Sequence, residues 1–347
     1  MSEDVKKFKV VQIGIRHEHA PGKILTLTRF PELFEVAGYV DEADFCHSPN
    51  FEGSYRPHLY TQYPKLTLDE VWNIPDLDAA IVEVPNNDLV PVGMLCMEHD
   101  LAMHLDKPAG EELAPYAKLL DGCRERKVPL QMGYMFRGNP AFQYCIRAIR
   151  EGLLGEIASI EADMHHSYGG EVYQEYIAHF AGGIMFNLGC HLIDFVVAAM
   201  GRPARVTPFP GSAPGDPDRV RNHCMAVLEY PHAFVTLSAC SRNGVGGGGT
   251  EARAMRIAGT KGMLRFSPVE RFDGKPVEIE LWLKEDSGPL PAGRHRIVFP
   301  VQKDRYVAQL TELGKIVRGE MANPYTYDHD LLVHEVTLAA AGYIKWK

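Results

Sequence analysis

No stretch of this chain is apolar for long enough to cross a membrane as a helix, which takes about 20 consecutive apolar residues. No membrane partner is therefore expected. Positive charge is in deficit: 36 Lys and Arg stand against 45 Asp and Glu, a formal net charge of −9. A surface that tracks a nucleic-acid backbone needs the opposite sign, so no nucleic-acid partner is expected either. Residues 1–7 lack the apolar core of a secretory signal. The seven cysteines are odd in number and scattered, and Cys96, Cys145, Cys190 and Cys240 lie in apolar contexts. Buried free thiols in a reducing cytoplasm fit them better than a disulfide framework. Compact zinc-type spacing is missing, so no metal ligands are read from the sequence. Also missing is a full dinucleotide fingerprint: G-x-G-x-x-G needs glycine at 14, 16 and 19, and the chain has Gly14, Arg16 and His19.

At 347 residues the natural expectation is two domains. In the first, over 1–134, apolar strands at 9–14, 34–40, 77–85, 101–105 and 128–133 alternate with helices. Those helices begin near Pro21, at the capping box Thr67 to Glu70, over 89–98 and over 111–127. Such alternation predicts a doubly wound parallel (Rossmann) sheet, whose ligands bind at the carboxyl ends of the strands. Gly14, Asp41, Pro85, Asn86 and Lys107 then share one edge. Arg16 either blocks the approach of a pyrophosphate or offers it a guanidinium. Asp41, after the second strand, suits a ribose 2′-hydroxyl and repels a 2′-phosphate, which favours NAD over NADP.

The second domain, 135–347, reads as α+β with a large, mainly antiparallel sheet. Its strands fall at 157–165, 204–209, 223–230, 234–241, 254–258, 263–267, 277–283 and 294–299, and its helices at 139–152, 304–319 and 328–343. The glycine-rich run 244–249 lacks the strand-to-helix context of a phosphate loop and reads as a mobile loop. Within the apolar helix over 182–194, Asn187, His191 and Asp194 stand at i, i+4 and i+7 and share a face. His165, His166, Tyr168 and Tyr173 either offer hydrogen bonds and stacking faces to a polyhydroxylated ligand or form a plain polar strand-end loop. Arg137, near the domain crossing, either contacts substrate or forms a structural ion pair.

Oxidising a secondary alcohol needs a hydride acceptor and a base for the hydroxyl proton. A lysine serves as that base when burial and neighbours lower its pKa, and a histidine titrates near neutrality unaided. Lys107 and His191 are the candidates.

Several segments carry a family resemblance: Val84-Pro85-Asn86, His104-Leu105-Asp106-Lys107-Pro108, the run from Gly133 to Pro140, the run from Gly152 to Ile157, and the run from Gly182 to Asp194. Their order and spacing resemble the glucose–fructose oxidoreductase, inositol dehydrogenase and rhizopine catabolism (Gfo/Idh/MocA) family. The resemblance implies an NAD-dependent oxidoreductase acting on a CH–OH group of a sugar, cyclitol or related polyol. It implies cofactor contacts from Gly14, Ile15, Arg16, His17, Asp41, Pro85, Asn86, Asp106 and Lys107. It assigns substrate and cofactor contacts to Lys107 and acid/base duty to His191; Asn187 is read beside them as catalytic, and Arg137, His165, Tyr168, Asn187 and His191 are read with Lys107 as substrate contacts from their places in the chain. Association through the open sheet face, as a homodimer or homotetramer, is implied as well. Asn187 departs from the family's usual aspartate and cannot carry a proton, so either His191 acts alone, Lys107 takes the larger share, or the chemistry is altered. Two alternatives stay open: redox-assisted glycoside elimination with retained NAD, and a catalytically silent sugar- or nucleotide-binding protein.

Overall fold

The computed structural model describes residues 6–243 and 252–347, so the glycine-rich run 244–249 lies outside the described residues. The chain divides into two compact units, one through Gly133 plus Tyr306–Leu331, the other Tyr134–Arg305 plus Leu332–Lys347.

The first unit carries β1 (Phe8–Ile13), α1 (Ala20–Arg29), β2 (Phe34–Val40), α2 (Leu68–Val71), β3 (Ala79–Val82), α3 (Leu89–Glu98), β4 (Ala102–Leu105), α4 (Leu113–Arg126) and β5 (Leu130–Met132). The strands form one sheet in the order β2-β1-β3-β4-β5, and every pair is parallel. All four residues of β3 and of β4 are buried, as strands covered on both faces must be. Pro21 sits in the first turn of α1, where an N–H has no use, and Ile24 and Leu27 face the core. The capping box at α2 forms, with Thr67 and Glu70 bonding each other's backbone N–H.

The second unit holds α5 (Pro140–Arg150), β6 (Ile157–His165), α6 (Gly170–Ile177), α7 (Cys190–Met200), β7 (Arg205–Phe209), β8 (His223–Tyr230), β9 (Ala233–Cys240), β10 (Arg253–Gly259), β11 (Gly262–Phe266), β12 (Glu278–Leu283) and β13 (Gly293–Val298). These strands form one sheet ordered β13-β12-β11-β10-β6-β9-β8-β7, antiparallel except for the β6–β9 pair. One face buries Ile160, Ala162, Val235, Leu237, Ala226 and Leu228. The ring of Phe142 in α5 packs edge-on against Phe195 of α7 and Phe266 of β11. The other face leaves Phe209, Met225 and Phe234 exposed.

Two sequence expectations need correction. Residues 306–331, with α8 (Val307–Val317), belong to the first unit rather than the second. Leu310 and Leu313 enter the same core as Phe8, Val10, Ile24 and Phe34. The following helix α9 (Tyr327–Ala340) begins in the first unit and ends in the second. The stretch after β6 is not all loop: α6 forms there because Tyr173, Tyr176 and Ile177 recur at helical spacing and are buried. Among the described residues no helix is long and apolar enough to cross a membrane.

Candidate functional site

At the carboxyl edge of the parallel sheet, Gly14 takes φ +97° directly after β1. A Cβ there would lie 2.4 Å from the Glu83 carbonyl oxygen, so only glycine lets the β1 turn close onto β3. The donors of this turn are already engaged. The backbone N–H groups of Ile15 and Arg16 donate to the two carboxylate oxygens of Glu42, at 2.7 and 2.8 Å. Burial pushes the pKa of Glu42 up. Arg16 grips Asp41 through two parallel bonds, Nε to Oδ1 at 2.7 Å and Nη2 to Oδ2 at 3.1 Å, and lies 5.0 Å from the centre of the Tyr55 ring. That pairing holds the Asp41 carboxyl below its usual range. Arg16 is therefore paired with Asp41, and Asp41 holds a guanidinium.

Further along the edge, Pro85 and Asn86 follow β3 and are buried. The Asn86 amide donates to the Lys107 carbonyl at 2.9 Å, which ties the end of β3 to the end of β4. Lys107 is 2 % exposed. Asp106 and His17 turn inward: His19 Nδ1 meets Asp106 Oδ2 at 2.7 Å, and His17 Nδ1 stands 3.5 Å from the same oxygen. Burial pushes His17 down to about 3 and keeps its ring neutral. For Asp106, burial works upward, but His19, His17 and Lys107 outweigh it and hold the carboxyl well below its usual range. Asp106 and His17, expected to touch a cofactor, thus form an internal cluster with His19.

Sequence reasoning missed the neighbour of this cluster. Lys23, fully buried in α1, places Nζ 2.5 Å from His104 Nε2, 3.5 Å from a Glu83 oxygen and 4.1 Å from the centre of the Tyr306 ring. The available signal was polar residues, Glu83 and His104, inside runs that are otherwise apolar.

In the second unit Asn187 lies on a π-helical turn, Met185–Gly189, that leads into α7. Such turns gather at functional sites because they re-aim one side chain out of helical register. The Tyr173 hydroxyl donates to Asn187 Oδ1 at 3.2 Å. His191 sits on α7, its ring centre 6.0 Å from that of Tyr134 and 5.7 Å from that of Phe136. Arg137 and Asp194 form a buried ion pair with N–O distances of 2.6, 3.1 and 3.2 Å. Arg137 is engaged with α7 itself.

Of the four residues read around 165–173, three come together. His166 stacks on Tyr168 at 3.7 Å and meets Tyr173 edge-on at 5.1 Å. His165 points to the opposite face of β6, where it bonds Ser238 at 2.8 Å and Asn243 at 3.2 Å. The alternation of a strand decides this: adjacent residues cannot face the same side. The aromatic group therefore contains His166, and His165 stands outside it.

Burial, with Arg253 and His165 adding to it, pushes His166 down to about 3, whereas an unfolded histidine titrates near 6.5. Between those values the unfolded chain takes up a proton that the folded one refuses. Stability is therefore complete above about pH 6.5 and falls as pH drops toward about 3, by up to about 1.4 kcal/mol per unit. The thermal midpoint should fall as pH drops below about 6.5, and His166→Phe should flatten that slope. Equal slopes for the two proteins in a pH series of melts would refute the assignment.

The architecture is a doubly wound parallel unit followed by an α+β unit with an eight-stranded sheet. Residues 142–265 match the GFO/IDH/MocA C-terminal domain. Trans-1,2-dihydrobenzene-1,2-diol dehydrogenase of Bos taurus is 22% identical over 223 residues, covering 62% of this chain and 62% of that protein. Rhizopine catabolism protein MocA of Rhizobium meliloti is 26% identical over 167 residues, covering 46% of this chain and 51% of that one. The matches thus span less than two thirds of the length of either relative. The fold resembles that of an oxidoreductase from Agrobacterium radiobacter in complex with NAD+, L-tartaric acid and magnesium, with a TM-score of 0.78, 14% identity, and 99% and 98% of the two chains covered. It also resembles an aldose-aldose oxidoreductase from Caulobacter crescentus complexed with glycerol, with a TM-score of 0.75, 20% identity, and 98% and 100% covered. Residues 142–265 are thus similar to the C-terminal domain of the Gfo/Idh/MocA family, and the fold as a whole resembles that of solved oxidoreductases.

Proposed function

We propose that this chain is an NAD-dependent oxidoreductase acting on a secondary alcohol of a sugar, cyclitol or related polyol. One observation carries the reading. Gly14, Asp41, Asn86 and Lys107 stand just after the carboxyl ends of β1, β2, β3 and β4, the edge where nucleotides bind in open parallel sheets. The residues fit a dinucleotide in kind, and they already hold stand-ins for it. The Glu42 carboxylate accepts from two N–H groups of the glycine turn, as an anion would, and the Arg16 guanidinium donates to the acid that would take ribose hydroxyls.

When bound, the nicotinamide supplies a hydride acceptor. The remaining chemistry falls to side chains. Lys107, held by the Asn86 link to its carbonyl, takes or returns the hydroxyl proton. His191 shares that role, and Asn187, fixed by Tyr173, donates to or accepts from a substrate hydroxyl without transferring a proton. Tyr168 offers a stacking face to a sugar ring. A catalytically silent sugar-binding protein is the second reading, and the closed Arg16–Asp41 pair is what favours it.

Calorimetric titration with NAD separates the two readings. Arg16→Gly frees Asp41 and restores glycine, so it should tighten NAD by about tenfold, equivalent to about 1.4 kcal/mol. Weaker binding by the variant would mean that Arg16 contacts the cofactor itself. If neither protein binds NAD, the oxidoreductase reading fails. With NAD bound, a screen of sugars and polyols followed by nicotinamide absorbance identifies the substrate class.

A further inference from the structure

We propose that His17, His19, Glu83 and Asp106 form a binding site for one transition-metal dication of the zinc type. Each residue offers one ligand atom, and these four atoms lie within 4.8 Å of one another. Ligands on a shell of about 2.1 Å stand roughly 3.4 Å apart in a tetrahedron, so modest side-chain shifts close the site. The frame is rigid. Both histidines lie in the turn between β1 and α1, Glu83 follows β3, and Asp106 follows β4.

Three polar atoms of this cluster are without hydrogen bonds, while His19 and Asp106 bond each other. His17 Nε2 and both Glu83 carboxylate oxygens are buried with no hydrogen-bond partner, and their residues are 1 % and 0 % exposed. Lys23 Nζ stands 3.5 Å from one Glu83 oxygen, beyond ordinary hydrogen-bond length, and is closer to His104. Buried lone pairs on an imidazole and a carboxylate share few common partners, and a cation is one of them. Two carboxylates supply negative charge toward a dication, one of them shared with the Lys23 ammonium at 3.5 Å. Two imidazoles select a borderline transition metal over magnesium or calcium, which take oxygen ligands. The His19 side chain is 23% exposed, which gives an ion a route in. Sequence spacing conceals the set, because only His17 and His19 are near each other along the chain.

The site stands independently of the nucleotide reading and is tested without NAD. Full-length protein stripped with a chelator is titrated with zinc chloride and with magnesium chloride, and metal retained after gel filtration is counted by mass spectrometry. One zinc per chain is expected, with magnesium weaker by on the order of a hundredfold. His19→Ala and Asp106→Asn should each weaken zinc by at least about a hundredfold, because even outer-shell losses cost roughly tenfold to a hundredfold. Glu83→Gln keeps the side-chain volume and supplies the same test should either variant fail to fold by circular dichroism. Cobalt loaded in place of zinc should give a visible d–d spectrum that the variants lose. Zinc binding of equal strength in the parent and all three variants overturns the proposal, as does a preference for magnesium. NAD titration of the same samples reports on the oxidoreductase reading alone.

Discussion

Lys107→Ala should lower turnover by about a hundredfold or more while NAD remains bound, since that is the usual contribution of a positioned acid or base. Lys107 follows β4, whose four residues are all buried, and its backbone is tied to the neighbouring strand end by Asn86. Its side chain is itself buried, so truncation also removes packed methylenes. Lys107→Met keeps most of that bulk and removes the charge and the donor. Both variants should therefore lose turnover to a similar degree, with Met closer to the parent in thermal midpoint. Turnover in Lys107→Met within a few-fold of the parent would remove the assigned role. Reduced NAD affinity with unchanged turnover at saturation would move Lys107 from proton transfer to cofactor binding.

The second large effect concerns stability. Arg137 and Asp194 each have side chains only 2% exposed, and their ion pair links the segment before α5 to α7. Removing one partner strands a buried charge, which costs about 3–5 kcal/mol. Asp194→Ala should therefore shift urea unfolding by that amount, and Arg137→Ala should do likewise. Replacing both with apolar residues of similar volume, Arg137→Met with Asp194→Leu, should recover much of the loss, because the desolvation cost disappears with the charges. If the double variant loses the sum of the single losses, the two residues do not act as a pair. The helix held in this way carries His191, so the single variants should also lower substrate affinity if His191 contacts substrate.

Particular elements show where local reading succeeds. The exact spans of β2, α3, β6 and β8 were visible because each is a short periodic run with breakers at its ends. Helical spacing places His191 and Asp194 together on α7, whereas the π-helical turn that carries Asn187 was not legible in the spacing. His165 and His166 were not separable, since either register of a strand end satisfies the same composition. The assignment of α8 failed for a different reason: an amphipathic helix declares that it has a partner, not which one. Its leucines pack with Phe8 and Ile24, far away in the chain.

By itself, the sequence determined the alternation of strands and helices, the glycine after β1, the lysine after β4 and the helix bearing His191. All of these follow from neighbours within a few residues. Tertiary structure alone decided that Arg16 closes on Asp41, that Glu42 takes the N–H groups of the first turn, that Arg137 is held by Asp194, and that two histidines and two carboxylates gather beneath the sheet edge. Each of these pairings joins charges or lone pairs from separate elements, and composition cannot say which buried polar group will find which partner.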